Sequence, residues 1–144
     1  MKEFDFEKMP IVEIVNEIIM DAVKKNVSDI HFDPSKENIK IRIRIDGILS
    51  DYSIIPGKYK RNMISRIKMI AGMNIMETRL PQDGAIKSRI GKKMLDLRVS
   101  SLPTNCGEKV VIRILDYSKS LQGLDTLGFS EDSLKKIEKM VEVP

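Results

Sequence analysis

Residues 39–45 read Ile-Lys-Ile-Arg-Ile-Arg-Ile and are followed by Asp46-Gly47. Strict alternation over seven residues has a period of 2, which puts Ile39, Ile41, Ile43 and Ile45 on one side of a strand and Lys40, Arg42 and Arg44 on the other. A helix would scatter the same isoleucines around its circumference. Asp-Gly supplies the positive φ angles of a tight hairpin turn, so the chain must return as an antiparallel partner. The return strand runs from Ile48 to Ile55, and Pro56-Gly57 stops it. A hairpin with one apolar face is marginal by itself and needs a second layer to cover that face.

The flanking sequence provides that layer. Ile11, Ile14, Val15, Ile18, Ala22 and Val23 recur at helical spacing after Pro10, and Lys24-Lys25-Asn26 places cations at the negative end of the helix dipole. Ser28 to Asp33 reads as a short strand. Tyr59, Met63, Ile64, Ile67, Ile70 and Ala71 form a second helical stripe, with Lys58, Lys60, Arg61, Ser65 and Lys68 as its wet side and Gly72 as its cap. A linker from Met73 to Leu80 leads through Pro81-Gln82-Asp83-Gly84 to a second hairpin over Ala85 to Ser100, turning near Gly91-Lys92. Ser101 to Glu108 reads as a loop. Lys109 to Leu115 is apolar enough for a central strand, and Ser130 caps a last amphipathic helix through Leu134, Ile137, Met140 and Val141. The order α, β, β-β, α, β-β, β, α gives an α+β class with a mainly antiparallel sheet built from hairpins and flanked by helices. Residues 1–116 form the domain, and residues 117–144 a linker and helix.

A chain of 144 residues fits one domain, and 42% hydrophobic with 32% charged residues favours a packed core over disorder. No apolar run approaches the ~20 residues of a membrane-spanning helix. The start, Met1-Lys2-Glu3-Phe4-Asp5-Phe6-Glu7, has no apolar h-region, so no signal peptide is expected. One cysteine, Cys106, and one histidine, His31, exclude an intrachain disulfide and a Cys/His zinc site within the chain, and point to the cytoplasm. The net charge of +4 is unevenly spread. Residues 1–35 carry 4 basic and 8 acidic side chains, residues 36–119 carry 18 and 8, and residues 120–144 carry 3 and 5. All eight arginines fall in the middle block, which suggests an anionic partner there or a solvated basic surface. With no Trp, 3 Tyr and 4 Phe, the chain has little material for the stacking platforms of single-strand nucleic-acid binders.

No catalytic centre is readable. His31 and Cys106 could form a nucleophile–base pair, but nothing in the sequence orients the histidine. Asp29, Asp33, Asp83 and Asp96 have no spacing that marks an acid–base or metal site. Neither G-x-x-x-x-G-K-[ST] nor G-x-G-x-x-G occurs, so the usual backbone cradles for phosphate are missing. Two arginines say more. If Leu95, Leu97 and Val99 face the core, Asp96 and Arg98 share the other face. Arg113 falls beside Val111 and Leu115 in an otherwise apolar strand, where a buried guanidinium needs a partner. Either it forms an ion pair with Asp96 or Glu108, or Arg98 and Arg113 converge on a bound phosphate, which the planar guanidinium suits.

Arg79-Leu80-Pro81-Gln82-Asp83-Gly84, Asp96-Leu97-Arg98-Val99-Ser100-Ser101-Leu102-Pro103-Thr104 and Gly107-Glu108-Lys109-Val110-Val111-Ile112-Arg113 resemble consecutive motifs of the type II secretion and type IV pilus assembly ATPases. Ser28-Asp29-Ile30-His31 and Arg44-Ile45-Asp46-Gly47 resemble the same family's upstream signature, so the resemblance runs from about Pro10 to Pro144. It implies a PAS-like N-terminal domain preceding a RecA-like ATPase domain whose P-loop is expected a few residues beyond Pro144. It also implies that Arg98 and Arg113 reach the nucleotide phosphates. Arg79 is a third candidate, with an ion pair holding the linker as its alternative role. Ser28-Asp29-Ile30-His31 is expected to be structural, the Asp capping a turn and the His satisfied by backbone. Where the family usually has Arg after Pro-Gln-Asp-Gly, this chain has Ala85.

The function implied is that of a regulatory and mechanical domain of a hexameric P-loop motor, not an enzyme by itself. The fragment needs no cofactor, whereas ATP and Mg²⁺ are expected for the full-length parent. The implied partners are the chain's own C-terminal ATPase domain, further copies in a homohexamer and an inner-membrane platform protein, with no nucleic acid. The implied location is cytoplasmic, at the inner face of the plasma membrane. The alternatives are a stand-alone PAS-like ligand-binding or dimerisation module, and a basic nucleic-acid-binding domain.

Overall fold

The computed structural model of the protein describes residues 1–90 and 93–116. The turn expected at Gly91-Lys92, the linker after residue 116 and the helix expected from Ser130 lie outside the described residues. Helix α1 (Ile11–Lys24) is followed by β1 (Asp29–Pro34), β2 (Asn38–Ile45), β3 (Ile48–Pro56), a single 3₁₀ turn (Gly57–Tyr59) and α2 (Lys60–Ile70). The strands β4 (Gln82–Ile90), β5 (Lys93–Thr104) and β6 (Gly107–Asp116) complete the order. The six strands form one sheet in the order β3-β2-β1-β6-β5-β4, and every pairing in it is antiparallel. The α+β class follows.

Periodicity explains the layering. Ile14, Val15, Ile18 and Val23 of α1 and Met63, Ile64 and Ile67 of α2 share one core with Ile30, Phe32, Ile39, Ile41, Ile43, Leu97, Val99, Val110 and Ile112 of the sheet. The alternating isoleucines of β2 point inward as expected, and its cations lie on the outer face. β6 is central, between β1 and β5. Gly72, at φ 73°, ends α2 in the left-handed conformation that lets Gly72 N–H reach Met69 O and Met73 N–H reach Lys68 O.

Three expectations need correction. Ser101 to Glu108 is not a loop: β5 runs to Thr104 and β6 begins at Gly107, leaving a two-residue connection. Thr104 Oγ1 stabilises it, accepting from Cys106 N–H and donating to Gly107 O. Pro103 is tolerated because β4 starts at Gln82, opposite Ser101, so this stretch of β5 has a neighbour on one side only. Lys68 is not on the wet side of α2. It is 1% exposed, and its ammonium donates to Glu77 O at 2.6 Å and to both carboxylate oxygens of Glu108 at 3.1 and 2.9 Å. Arg113 is not buried: Val110 and Ile112 take the inner face, and the arginine is on the exposed side of β6.

Candidate functional site

Strand pairing puts residues far apart in sequence on one line. Ala85 lies opposite Arg98, Arg98 opposite Arg113, Arg113 opposite Asp29, and Asp29 opposite Arg44. The row crosses five strands on the outer face, at about 4.8 Å per step. Like charges directly opposite each other in a sheet are destabilising, yet Arg98 and Arg113 face each other at its centre. They border a groove of about 320 Å³ that Asp83, Gly84, Val99, Ser100 and Val111 complete.

The two guanidiniums are held differently. Asp96, two residues before Arg98 on the same face, accepts from Arg98 Nε at 3.0 Å and Nη2 at 2.7 Å through one oxygen. Among the described residues Arg113 makes no side-chain hydrogen bond or ion pair, and neither of the expected partners takes it: Asp96 serves Arg98, and Glu108 serves Lys68. Arg79 is exposed on the linker before β4 and does not line the groove. Its backbone N–H is held by Glu77 Oε1, and among the described residues its guanidinium has no ion pair.

The rest of the row is neutralised. Asp29 accepts from Ser28 Oγ, His31 Nε2 and Arg44 Nε. Burial pushes its carboxyl up, but those hydrogen bonds outweigh it and hold the group below the usual carboxylate range. Asp29 therefore organises a strand rather than capping a turn. His31 is satisfied by this carboxylate rather than by backbone, and among the described residues its buried Nδ1 has no partner. Burial also pushes Asp33 up, and Arg42 and Lys109 more than offset it, so its carboxyl is held low. With Asp51 on Lys40, most of the described outer-face cations are matched locally. Such a surface neutralises few nucleic-acid phosphates.

Gln82 and Gly84 have roles that the sequence did not disclose. Gln82 accepts from Asn74 N–H and donates to Asn74 O and Glu77 O, so one side chain pins the linker. Gly84 lets β4 touch the end of α2, where Ala85 N–H donates to Ala71 O at 3.1 Å. His31 and Cys106 form no hydrogen bond to each other, and among the described residues no cluster of three or more His, Cys, Asp or Glu could hold a metal. Among them, too, no helix is long and apolar enough to cross a membrane. Guanidinium forks of this kind suit an anion, and among the described residues no nucleophile in the groove is paired with a base.

The family model for the type II/IV secretion system protein matches residues 5–144. The chain belongs to this family. It is 45% identical over 135 residues to the type II secretion system protein E of Xanthomonas campestris, covering 94% of this chain and 24% of that protein. It is 44% identical over 124 residues to the type IV pilus assembly ATPase PilB of Pseudomonas aeruginosa, covering 85% and 22%. The corresponding protein of Myxococcus xanthus is 43% identical over 136 residues, covering 94% and 24%. The chain thus spans about a quarter of the length of these relatives. The family resemblance read from residues 79–113 is borne out by this match.

Proposed function

We propose that this chain is the PAS-like N-terminal part of a hexameric P-loop ATPase that drives type IV pilus assembly or type II protein secretion. In this reading residues 1–116 form the domain, residues 117–144 lead to the ATPase domain, and Arg98 and Arg113 reach the phosphates of ATP held there. The observation that carries it is the Arg98–Arg113 pair, two like charges opposed on adjacent strands over an open groove, with Arg113 unpaired among the described residues. Asp96 offsets part of that opposition, and what remains is a local conflict of the kind expected at functional sites. Phosphoryl transfer spreads negative charge over oxygens, and two guanidiniums placed across a domain cleft stabilise it electrostatically. Mg²⁺ belongs with the ATPase domain. Arg79, on the linker, has the lesser claim on the phosphates. Turnover then moves this domain as a rigid body and transmits work to a platform protein at the cytoplasmic face of the inner membrane.

The test uses the full-length protein. Arg98→Lys keeps the charge and loses the planar fork, and kcat is expected to fall at least ~10-fold. Arg98→Ala and Arg113→Ala should each cost more, and the double variant less than their sum, because they serve one site. Unchanged kcat with a lowered melting temperature in both alanine variants would make the arginines structural and overturn the reading.

A further inference from the structure

Among the described residues Asp96 is the most deeply buried carboxylate on the outer face of the sheet, at 1% exposure, and lies where strand pairing sets it between Lys87 of β4 and Leu115 of β6. Its Oδ2 receives both Nε and Nη2 of Arg98, at 3.0 and 2.7 Å, while the Arg98 side chain remains 55% exposed. The carboxylate is thus fixed in the protein and the guanidinium projects from it. An arginine on a strand has four soft torsions, and a clamp on its Nε–Nη2 edge fixes the plane of the fork. A guanidinium held in one plane presents its fork to a phosphate in a fixed direction. Arg113, directly opposite, has no such clamp among the described residues.

We propose that Asp96 is the positioning residue of this site: it pre-orients Arg98 toward the groove and offsets its charge, while Arg113 stays adaptable. The proposal rests on the phosphate-contacting reading of Arg98 given above and adds a division of labour to it. It also has a kinetic signature. Asp96 opposes the attraction of Arg98 for any anion, bound substrate included, and contributes geometry that matters when charge develops on the transferred group. Removing its charge should therefore lower kcat without raising KM. A purely structural ion pair would instead reduce the amount of folded protein and leave both constants of the folded fraction unchanged.

Two measurements decide. In the 144-residue chain, the heteronuclear NOE of the arginine Nε–Hε groups is expected to be high for Arg98 and low for Arg113, and Asp96→Asn should lower that of Arg98. An Arg98 that is as mobile as Arg113 in the unaltered chain overturns the proposal without any variant, even if Asp96→Asn fails to fold. In the full-length protein, Asp96→Asn is expected to lower kcat for ATP about 10-fold, with KM unchanged or lower. Unchanged kcat in Asp96→Asn, with kcat reduced in Arg98→Ala, overturns the positioning role and leaves the arginine reading standing. Unchanged kcat in both variants overturns the reading on which the proposal rests.

Discussion

Gly84 is a position where a single added methyl group should be costly for a reason visible only in three dimensions. Its φ is not in the left-handed region, so glycine is not required there for backbone conformation. Space is what requires it. A Cβ at residue 84 would lie 2.4 Å from Ala71 O, 2.8 Å from Met73 Cγ and 3.1 Å from Ala71 Cβ. The Met73 side chain can turn aside, but the Ala71 carbonyl is backbone at the end of α2 and cannot. Strand β4 must retreat by at least about 0.6 Å to bring that contact to 3.0 Å. The same movement stretches the 3.1 Å bond from Ala85 N–H to Ala71 O out of hydrogen-bonding range. Overpacking of this kind costs about 1–3 kcal/mol and the lost hydrogen bond about 0.5–1.5 kcal/mol. The reduced entropy of the unfolded chain returns about 0.4–1 kcal/mol. The net expectation for Gly84→Ala is a loss of about 2–3 kcal/mol, or about 8–12 °C in Tm for a domain of this size. Gly47→Ala is the control. Gly47 has φ 81° and nothing within 4 Å of an added methyl, so its penalty is conformational alone, about 1 kcal/mol. Thermal denaturation of both variants by circular dichroism tests the ranking. A Gly84→Ala variant that melts within 3 °C of the parent chain, or above Gly47→Ala, would refute the steric account.

The buried pair between Lys68 and Glu108 gives a second expectation: Glu108→Ala strands a 1% exposed ammonium and should cost about 3–5 kcal/mol, while Lys68→Met should cost less, as urea titration would show. Acid should unfold the domain through Asp21, Asp29 and Asp33. A hydrogen bond from Tyr52 holds Asp21 low, and Asp29 and Asp33 are held low against burial by the partners described above. Carboxyls depressed in the folded state stabilise it above their ordinary value near 3.8 and lose that contribution as pH falls through the folded values, so Tm should hold from pH 7 to 5 and drop below pH 4. A Tm that stays flat down to pH 3 would contradict this. The 144-residue chain alone should release no phosphate from ATP above the blank and bind ATP only weakly at physiological salt, since two arginines without a P-loop make a shallow, screened anion site. A micromolar Kd by calorimetry would overturn that expectation.

Local pattern alone determined much of this protein. The isoleucine alternation of residues 39–45, the Asp46-Gly47 turn and the two helical stripes specify a half-buried hairpin and its covering layer, because side-chain direction follows backbone period with no knowledge of neighbours. The same logic set Asp96 and Arg98 on one face of β5, opposite Leu95, Leu97 and Val99. Tertiary structure decided whatever depends on which strand lies beside which. Tyr52 is the extra residue of a bulge between β2 and β3, which turns both Tyr52 and Ser53 inward and breaks the alternation on which a sequence reading depends. Lys68 looked like a solvated helix residue until the linker and the start of β6 closed over it, bringing Glu77 O and Glu108 to its ammonium. The phenylalanines of the acidic N-terminal segment pack on the core, and Phe6 stacks on Tyr59 at 4.6 Å. The facing of Arg98 and Arg113 was beyond any periodicity too. It depends on the β5–β6 register, which is fixed by a two-residue turn at Asn105-Cys106 that the polar, proline-containing stretch around it disguised as a loop.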